Sequence, residues 1–398
     1  MADEYDATAA TMPCRVCGHD VPPGKFCGRC GAHLTRSRSD GPDWLRITDY
    51  AAAPGENVLQ PSVVSSMFPH LPNRSQGSFR VGLALVLVAL FVFSVLRLPL
   101  PMVIVATFAP ILLFVVYLVE TGVFTDLPRR LWVLTFVLGG AIGVGWAVWT
   151  AAIVKESYSL GLGTAVPTAR LVWDALILPF GGLLAMQLPA LLIRLTRPAV
   201  RESLHGFVIG TLSATMFTLG ATLVRVIPQL PGAMQPTDQQ VPDLLAEAVV
   251  RGVTMPLVAA TVGGLFGATL WYARPEGHGR RGLLVRAGLG LVVAAALYSI
   301  VGLIDVFRVP VGIQVVIHVA IAVAGVVTLR IGLQMAMLRE PKEPMHPDLP
   351  ILCPDCGHAV PDMAFCPACG VASQAASQAS RAARRLDRPQ PDEEVVDR

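Results

Sequence analysis

The 398-residue chain is 53% hydrophobic and 15% charged, whereas an average soluble domain has about 25% charged residues. With apolar runs of eighteen residues or more, this composition excludes an ordinary soluble protein and indicates one that crosses a membrane several times. The net charge of +3 is small and no long basic run occurs, so nucleic acid is not an expected partner. The acidic start at Met1 has neither a basic nor an apolar region, and no cleavable signal peptide is expected.

A short cysteine motif stands near the start of the chain and is repeated near its end. Residues 14–31 read CRVCGHDVPPGKFCGRCG, and residues 353–370 read CPDCGHAVPDMAFCPACG. Aligned without gaps, the two agree at ten of eighteen positions, and all eight cysteines of the protein lie in them. The sequence therefore contains an internal repeat whose two copies are separated by the long apolar block.

The spacing of the cysteines suits a metal. A C-x-x-C turn can direct two thiolates at one ion, and two such turns supply the four sulfurs of a tetrahedral zinc site. The alternative is a set of disulfides, since the number of cysteines is even. We predict two structural zinc ions, one held by Cys14, Cys17, Cys27 and Cys30, and the other by Cys353, Cys356, Cys366 and Cys369. The motif resembles the zinc ribbons that are appended to many bacterial membrane proteins.

The other residues of the two ribbons suggest structural or recognition modules. His19 and His358 occupy equivalent places and are predicted to be turn residues, because four cysteines already complete each site. Phe26 and Phe365 are predicted to be the apolar plug of each ribbon. A closed four-sulfur site leaves no open position for catalysis. The first ribbon is basic, whereas the second carries Asp355 and Asp362 and neither Lys nor Arg.

Eight membrane spans are predicted between the ribbons, giving an all-α polytopic membrane protein flanked by two small zinc-ribbon modules. The spans are residues 81–96, 98–119, 131–154, 171–193, 204–227, 251–273, 283–304 and 310–338. The predicted domains are a first ribbon at 1–34, a linker at 35–79, a transmembrane domain at 80–340, a second ribbon at 341–371 and a polar tail at 372–398.

The charges of the loops predict the topology. One set of alternate loops carries eight arginines and the other carries four basic residues, so the first set is expected in the cytoplasm. An even number of spans places both termini on that same side, where a reducing compartment keeps thiols free. We therefore expect a multi-pass protein of the plasma membrane, surrounded by lipid, with both termini cytoplasmic.

Ionisable residues inside membrane spans are costly and are therefore candidates for a functional site. Asp174, Arg225, Arg251 and Asp305 fall near the outer ends of their spans, and His205 at the inner end of the fifth. His318 lies roughly 12 Å into the eighth span at 1.5 Å per residue, so His205 and His318 are not expected to share a site. Arg330 is a further candidate. Snorkelling or a salt-bridge cluster is the alternative to a polar pocket that opens outward.

The fourth to seventh spans resemble the PrsW family of membrane-embedded proteases, which are related to the CAAX prenyl proteases. The resemblance rests on small residues around Gly206, Gly210, Ser213, Gly252 and Pro256, over about 120 residues. It implies that the family's paired glutamates would fall at Gly182 and Leu183, its Asp at His205, its Glu-Asn pair at Ala221 and Thr222, and its His at Ala259. None of these positions retains the family's catalytic residue, so the resemblance implies a non-catalytic relative.

Three functions remain open at this point. The first is a non-enzymatic membrane scaffold or regulator whose cytosolic ribbons bind a protein partner. The second is a divergent PrsW-like peptidase that uses His205 and Glu202, and the third is a transporter of small solutes that uses the outer polar residues. The spans show no clear internal repeat of the kind that many transporters have.

Overall fold

The computed structural model describes residues 11–35, 77–121, 123–158, 177–196, 202–229, 245–246, 248–272, 292, 310–340, 344–353, 356–374 and 376–389. The chain divides into two units, which we describe separately. The membrane unit comprises Ser78–Val119 and Leu127–Leu329, and the terminal unit comprises Met1–Gly77, Glu120–Asp126 and Arg330–Arg398.

Seven helices among the described residues are long and apolar enough to cross a bilayer. They are α1 (Gly77–Val95), α2 (Pro99–Thr121), α3 (Arg129–Tyr158), α4 (Leu178–Leu195), α5 (Ser203–Val226), α6 (Met255–Trp271) and α7 (Val311–Arg339), with a π-helical turn at Val249–Thr254 leading into α6. Short 3₁₀ turns follow α2 and α5, at Val123–Thr125 and Ile227–Gln229. The all-α polytopic fold class predicted from the sequence is confirmed.

The helices follow the predicted spans closely, with two differences in coverage. The fourth predicted span, 171–193, is described only from residue 177 onwards. The seventh, 283–304, lies outside the described residues apart from residue 292.

Prolines mark the beginnings of several helices. Pro99 is the first residue of α2, and a proline also stands in the first two positions of α4 and of α6. Proline is favoured there because its fixed φ suits the helix and its missing N–H has no intrahelical partner in any case. Pro110 and Pro189 lie within α2 and α4, which continue past them.

The helix α5 lies at the centre of the membrane unit. Of the seven spans it has the largest buried share, 72% of its residues in the most apolar window, and it packs most extensively against α6 and α3. The crossing with α6 is made by glycines, because a Cβ on Gly206 would overlap the carbonyl of Gly267 and one on Gly210 that of Gly263. Small residues thus allow two backbones to touch, which is a common way for membrane helices to associate.

The same helix meets α3 and α4 through its other faces. A Cβ on Gly143 of α3 would overlap the backbone of Phe217, and one on Gly220 of α5 would lie 2.5 Å from the carbonyl oxygen of Gly140. The Ser213 hydroxyl donates a hydrogen bond of 2.7 Å to the carbonyl of Met186 on α4. By contrast, many apolar side chains of α1, α2 and α3 are exposed, as lipid contact requires.

The terminal unit contains two small hairpins and a short helix. In the first ribbon β1 (Met12–Pro13) pairs with β2 (Asp20–Val21), and in the second β3 (Pro350–Leu352) pairs with β4 (Ala359–Pro361), both antiparallel. The helix α8 (Gln378–Leu386) follows the second ribbon. Its N-cap is Ser377, whose hydroxyl accepts a hydrogen bond of 3.2 Å from the Ser380 amide.

We expect Gly210→Ala to lower the thermal stability of the purified protein in detergent, because the new methyl group would overlap the backbone of α6. Overpacking of this kind costs about 1–3 kcal/mol. Gly145→Ala on α3 is the matched control, since nothing lies within 4 Å of the added Cβ. It should leave the melting temperature unchanged or raise it slightly, as alanine is the better helix former. Equal melting temperatures for the two variants would contradict the close crossing.

Candidate metal centres

Each C-x-x-C pair closes into the same tight turn. The glycine after each pair, at positions 18, 31, 357 and 370, has a φ between 69° and 79°, in the left-handed region that favours glycine. In every turn the amide of that glycine donates to the carbonyl of the first cysteine, over 2.8–3.0 Å. This repeated geometry explains why glycine occupies the position after each cysteine pair.

The turns bring four sulfur atoms together in each ribbon. In the first, the Sγ atoms of Cys14 and Cys30 are 3.7 Å apart and those of Cys17 and Cys27 are 3.9 Å apart. In the second, the corresponding distances are 3.6 Å for Cys353 and Cys369, and 3.9 Å for Cys356 and Cys366. The four sulfurs of each set all lie within 4.8 Å of one another, so each set can hold one metal ion.

All eight cysteines are free thiols rather than disulfides, which removes the alternative that the even cysteine count left open. His19 is exposed, and its Nδ1 lies 2.7 Å from the carbonyl oxygen of Cys17. That contact fits the predicted role of a turn residue rather than a ligand.

Contacts among the sulfurs change the acidity of the metal-free thiols. The Cys30 thiol donates to the sulfur of Cys27, which lowers the pKa of Cys27 to about 5 and raises that of Cys30. In the second ribbon, a hydrogen bond from the Cys353 thiol and a smaller effect of the Cys369 thiol lower the pKa of Cys366 to about 4. The pKa of Cys369 is raised. Each site therefore contains one cysteine at which the thiolate is favoured and another at which the thiol is favoured, and an arriving metal must displace the proton of the latter.

The two ribbons pack against each other within the terminal unit. The amides of Lys25 and Phe26 both donate to the carbonyl of Pro367, each over 3.0 Å, and the amide of Phe365 donates to the carbonyl of Gly28 over 2.9 Å. In the alignment of the repeat, Phe26 corresponds to Phe365 and Gly28 to Pro367. The hydrogen bonds are therefore related by a pseudo-twofold axis, as in an isologous dimer.

The phenylalanine rings follow the same symmetry. A Cβ on Gly31 would lie 2.9 Å from the Phe365 ring, and one on Gly370 would lie 2.7 Å from the Phe26 ring. Each ring thus reaches the last turn of the other ribbon. The sequence-based prediction that each phenylalanine plugs its own ribbon is incomplete, because the second copy of the repeat supplies the other side of the contact.

Residues after the second ribbon pack onto it as well. The Ser373 hydroxyl donates to the carbonyl of Met363. The buried carboxylate of Asp362 accepts from Arg385 over 3.0 Å and from Arg388 over 3.4 Å.

The predicted boundary at residue 371 between ribbon and polar tail stays a prediction, but residues 371–374 are buried against the ribbon. The arginines of α8 recur at spacings of three and four, a signal for an inward-facing stripe that the sequence analysis did not use.

The polar candidates that the structure describes in the membrane spans have different neighbours. His205 is 1% exposed, and its Nδ1 lies 3.9 Å from the Glu202 carboxylate at the start of α5. Arg225 and Arg251 both have exposed side chains and lie close enough to repel each other. His318 is buried in α7, where its Nδ1 lies 2.8 Å from the carbonyl oxygen of Gln314.

The three remaining candidates from the sequence are Arg330, Asp174 and Asp305. Arg330 on α7 is buried, while Asp174 and Asp305 lie outside the described residues. Sequence reasoning missed Gln187 on α4, because it considered only ionisable groups. Its side-chain amide is buried and has no hydrogen-bond partner among the described residues.

The positions singled out by the resemblance to the PrsW family are packed with apolar groups. Leu183 and Ala259 are fully buried and share one cluster with Met186, Ala214 and Phe217. Gly182 lies against the indole of Trp146, which packs on that cluster. Ala221 is buried one turn beyond Phe217. At Leu183, Ala221 and Ala259 the described helices therefore bury side chains that cannot transfer protons, whereas the position of the family's Asp holds the buried His205.

Compared with known proteins, the chain matches no family model, no curated protein and no solved structure. The kinship to the PrsW family consequently stays a prediction.

We expect the purified protein to bind two divalent metal ions per chain and to release them as the pH falls. The metal-bound form carries fewer thiol protons than the metal-free form, because Cys30 and Cys369 must lose theirs. Acidification therefore favours release and alkaline pH favours binding. Elemental analysis after dialysis at a series of pH values checks this, and Cys27→Ser should reduce the content to one ion per chain. Metal content that is independent of pH, or intact binding in that variant, would contradict the assignment.

Proposed function

We propose that this protein is a non-enzymatic integral membrane scaffold or regulatory protein whose paired zinc ribbons recognise a protein partner. The observation that carries the proposal is the convergence of two closed four-cysteine clusters into one pseudo-symmetric ribbon pair. Four sulfurs leave no vacant coordination position, so such a metal has a structural rather than a catalytic role.

Zinc is the metal that the donor set favours. Four sulfurs around zinc at about 2.3 Å, in a tetrahedron, lie about 3.8 Å apart. The closest sulfur pairs here are 3.6–3.9 Å apart. Thiolate ligands in tetrahedral geometry also select zinc over magnesium or calcium. Zinc would hold each ribbon in shape through Cys14, Cys17, Cys27 and Cys30, or through Cys353, Cys356, Cys366 and Cys369.

The charge of the ribbon pair suggests the chemistry of its partner. Arg15, Lys25 and Arg29 of the first ribbon are all exposed. In the second ribbon, the carboxylate of Asp362 is already engaged by arginines of the same chain. The first ribbon therefore offers exposed basic side chains, which favour an acidic protein surface and fast, salt-dependent association.

The partner is tested by quantitative affinity purification in mild detergent from the membrane of the native host. We expect a partner that is recovered with the wild-type chain and lost with Cys27→Ser/Cys366→Ser, which removes both metal centres. Lys25→Glu/Arg29→Glu should weaken the same interaction and its dependence on salt, while leaving both metal ions bound.

The matched control is Gly145→Ala, which alters the membrane helix α3 and no ribbon residue. It should recover the partner as the wild type does. Recovery of the same partners after removal of both metal centres would overturn the proposed role of the ribbons. It would leave the separate prediction of two metal ions in the wild-type chain intact.

A divergent peptidase is the second candidate, because buried His205 lies beside Glu202. We expect no cleavage of a panel of membrane-anchored substrates by the purified protein. The positions of the resemblance offer no carboxylate, and loss of a general base typically costs 10²–10⁴-fold in rate. Cleavage products, separated by mass spectrometry, that vanish with His205→Ala would establish the peptidase and overturn the non-enzymatic proposal.

A further inference from the structure

We infer that the two ribbons pair selectively with each other and not with copies of themselves, through a size match between glycines of the first ribbon and bulky residues of the second. The match involves two contacts related by the pseudo-twofold axis. In one, Gly24 faces Pro367, and in the other Gly28 faces Met363. These four residues would determine which ribbons can join.

The contacts leave no room for a side chain on the first ribbon. A Cβ on Gly24 would lie 2.8 Å from the carbonyl oxygen and 2.9 Å from the Cβ of Pro367. A Cβ on Gly28 would overlap the sulfur of Met363. Neither glycine needs its conformational freedom here, because a positive φ occurs only at Gly18, Gly31, Gly357 and Gly370 among the described glycines. Space, rather than backbone geometry, therefore disfavours a side chain at Gly24, and a side chain at Gly28 would have to displace that of Met363.

The alignment of the repeat makes the match reciprocal. Gly24 corresponds to Met363, and Gly28 corresponds to Pro367. At both positions the first ribbon has no side chain and the second has a bulky one. A twofold pair of unlike ribbons consequently places one glycine and one bulky residue at each of the two contacts.

Pairs of like ribbons lack this match. Two first ribbons would set glycine against glycine at both contacts and leave two holes, which lose packing. Two second ribbons would set Met363 against Pro367 at both contacts, where their side chains would compete for the space that glycine now provides. Such discrimination by building clashes and voids against the wrong partner is a general source of specificity.

The backbone hydrogen bonds cannot provide this selectivity by themselves. Their donors and acceptors are main-chain groups, which either ribbon offers at the equivalent positions. Gly31 and Gly370, which accept the phenylalanine rings, are also identical between the two copies. The four residues of the size match are, by contrast, interface positions at which the two copies differ in side-chain size.

The test uses three variants of the full-length protein. The first, Met363→Gly/Pro367→Gly, places glycine at all four positions. The second, Gly24→Met/Gly28→Pro, places bulky residues at all four. The third combines all four substitutions and so exchanges the two faces. Pairing is measured by hydrogen exchange in the peptides that contain the Lys25, Phe26 and Phe365 amides, and the metal content of each variant is determined in parallel.

We expect the first variant to lose about tenfold in amide protection and the second to lose more. The exchanged variant should recover most of the protection, because the pseudo-twofold axis converts one contact into the other. If the second variant misfolds and loses its metal, the exchanged variant still tests the size match, because it contains the same two substitutions together with the compensating ones. Unchanged protection in the first two variants, or failure of the exchanged variant to recover, would overturn the size match.

Discussion

The convergence of four sulfur atoms is the constraint on which each ribbon depends. The buried cluster of the first ribbon consists of Cys14, Val21, Cys27, Cys30 and Leu34, so three of its five members are cysteines. A chain of this size buries too little apolar surface to offset the entropy of folding. The free energy of metal binding therefore also drives the folding of such sites, and in zinc-finger peptides it is on the order of 10–16 kcal/mol. The same reasoning holds for the second ribbon, whose cluster also contains two of its cysteines.

Pairing extends these small cores. Phe365 is 1% exposed although it belongs to a ribbon of about twenty residues, because the last turn of the other ribbon covers it. At this interface Gly24 lies directly against the backbone of Pro367, where a Cβ would meet the carbonyl oxygen at 2.8 Å. The glycine crossings between α5 and α6 rest on the same physical reason in the membrane unit. In both places glycine is kept because a side chain would separate two backbones.

The sequence predicted the local features of this protein better than the long-range ones. The spacing of the cysteines and the glycine after each pair predict each metal-binding turn from a few adjacent residues. Long apolar runs predict the helices that are able to span a bilayer. The pairing of Phe26 with Gly370 joins residues more than 300 positions apart, and no local pattern encodes it. Asp362 likewise holds Arg385 of α8 against the second ribbon, whereas the sequence showed it only as an acidic residue of that ribbon. The buried amide of Gln187, which has no hydrogen-bond partner among the described residues, was not foreseen because a neutral side chain gives no charge signal.

The ribbon pair also constrains the path of the chain through the membrane. Hydrogen bonds between main-chain groups of the two ribbons cannot form across a bilayer, so both ribbons must lie on one side of it. The chain between Cys30 and Cys353 must therefore cross an even number of times. Seven candidate spans are described, and an odd number would separate the ribbons. An eighth span, predicted at residues 283–304, would meet this requirement, and it stays a prediction because those residues lie outside the described part of the chain apart from residue 292. Ribbon pairing thus gives a reason, separate from the loop charges, to expect both termini on the same side, which stays a prediction.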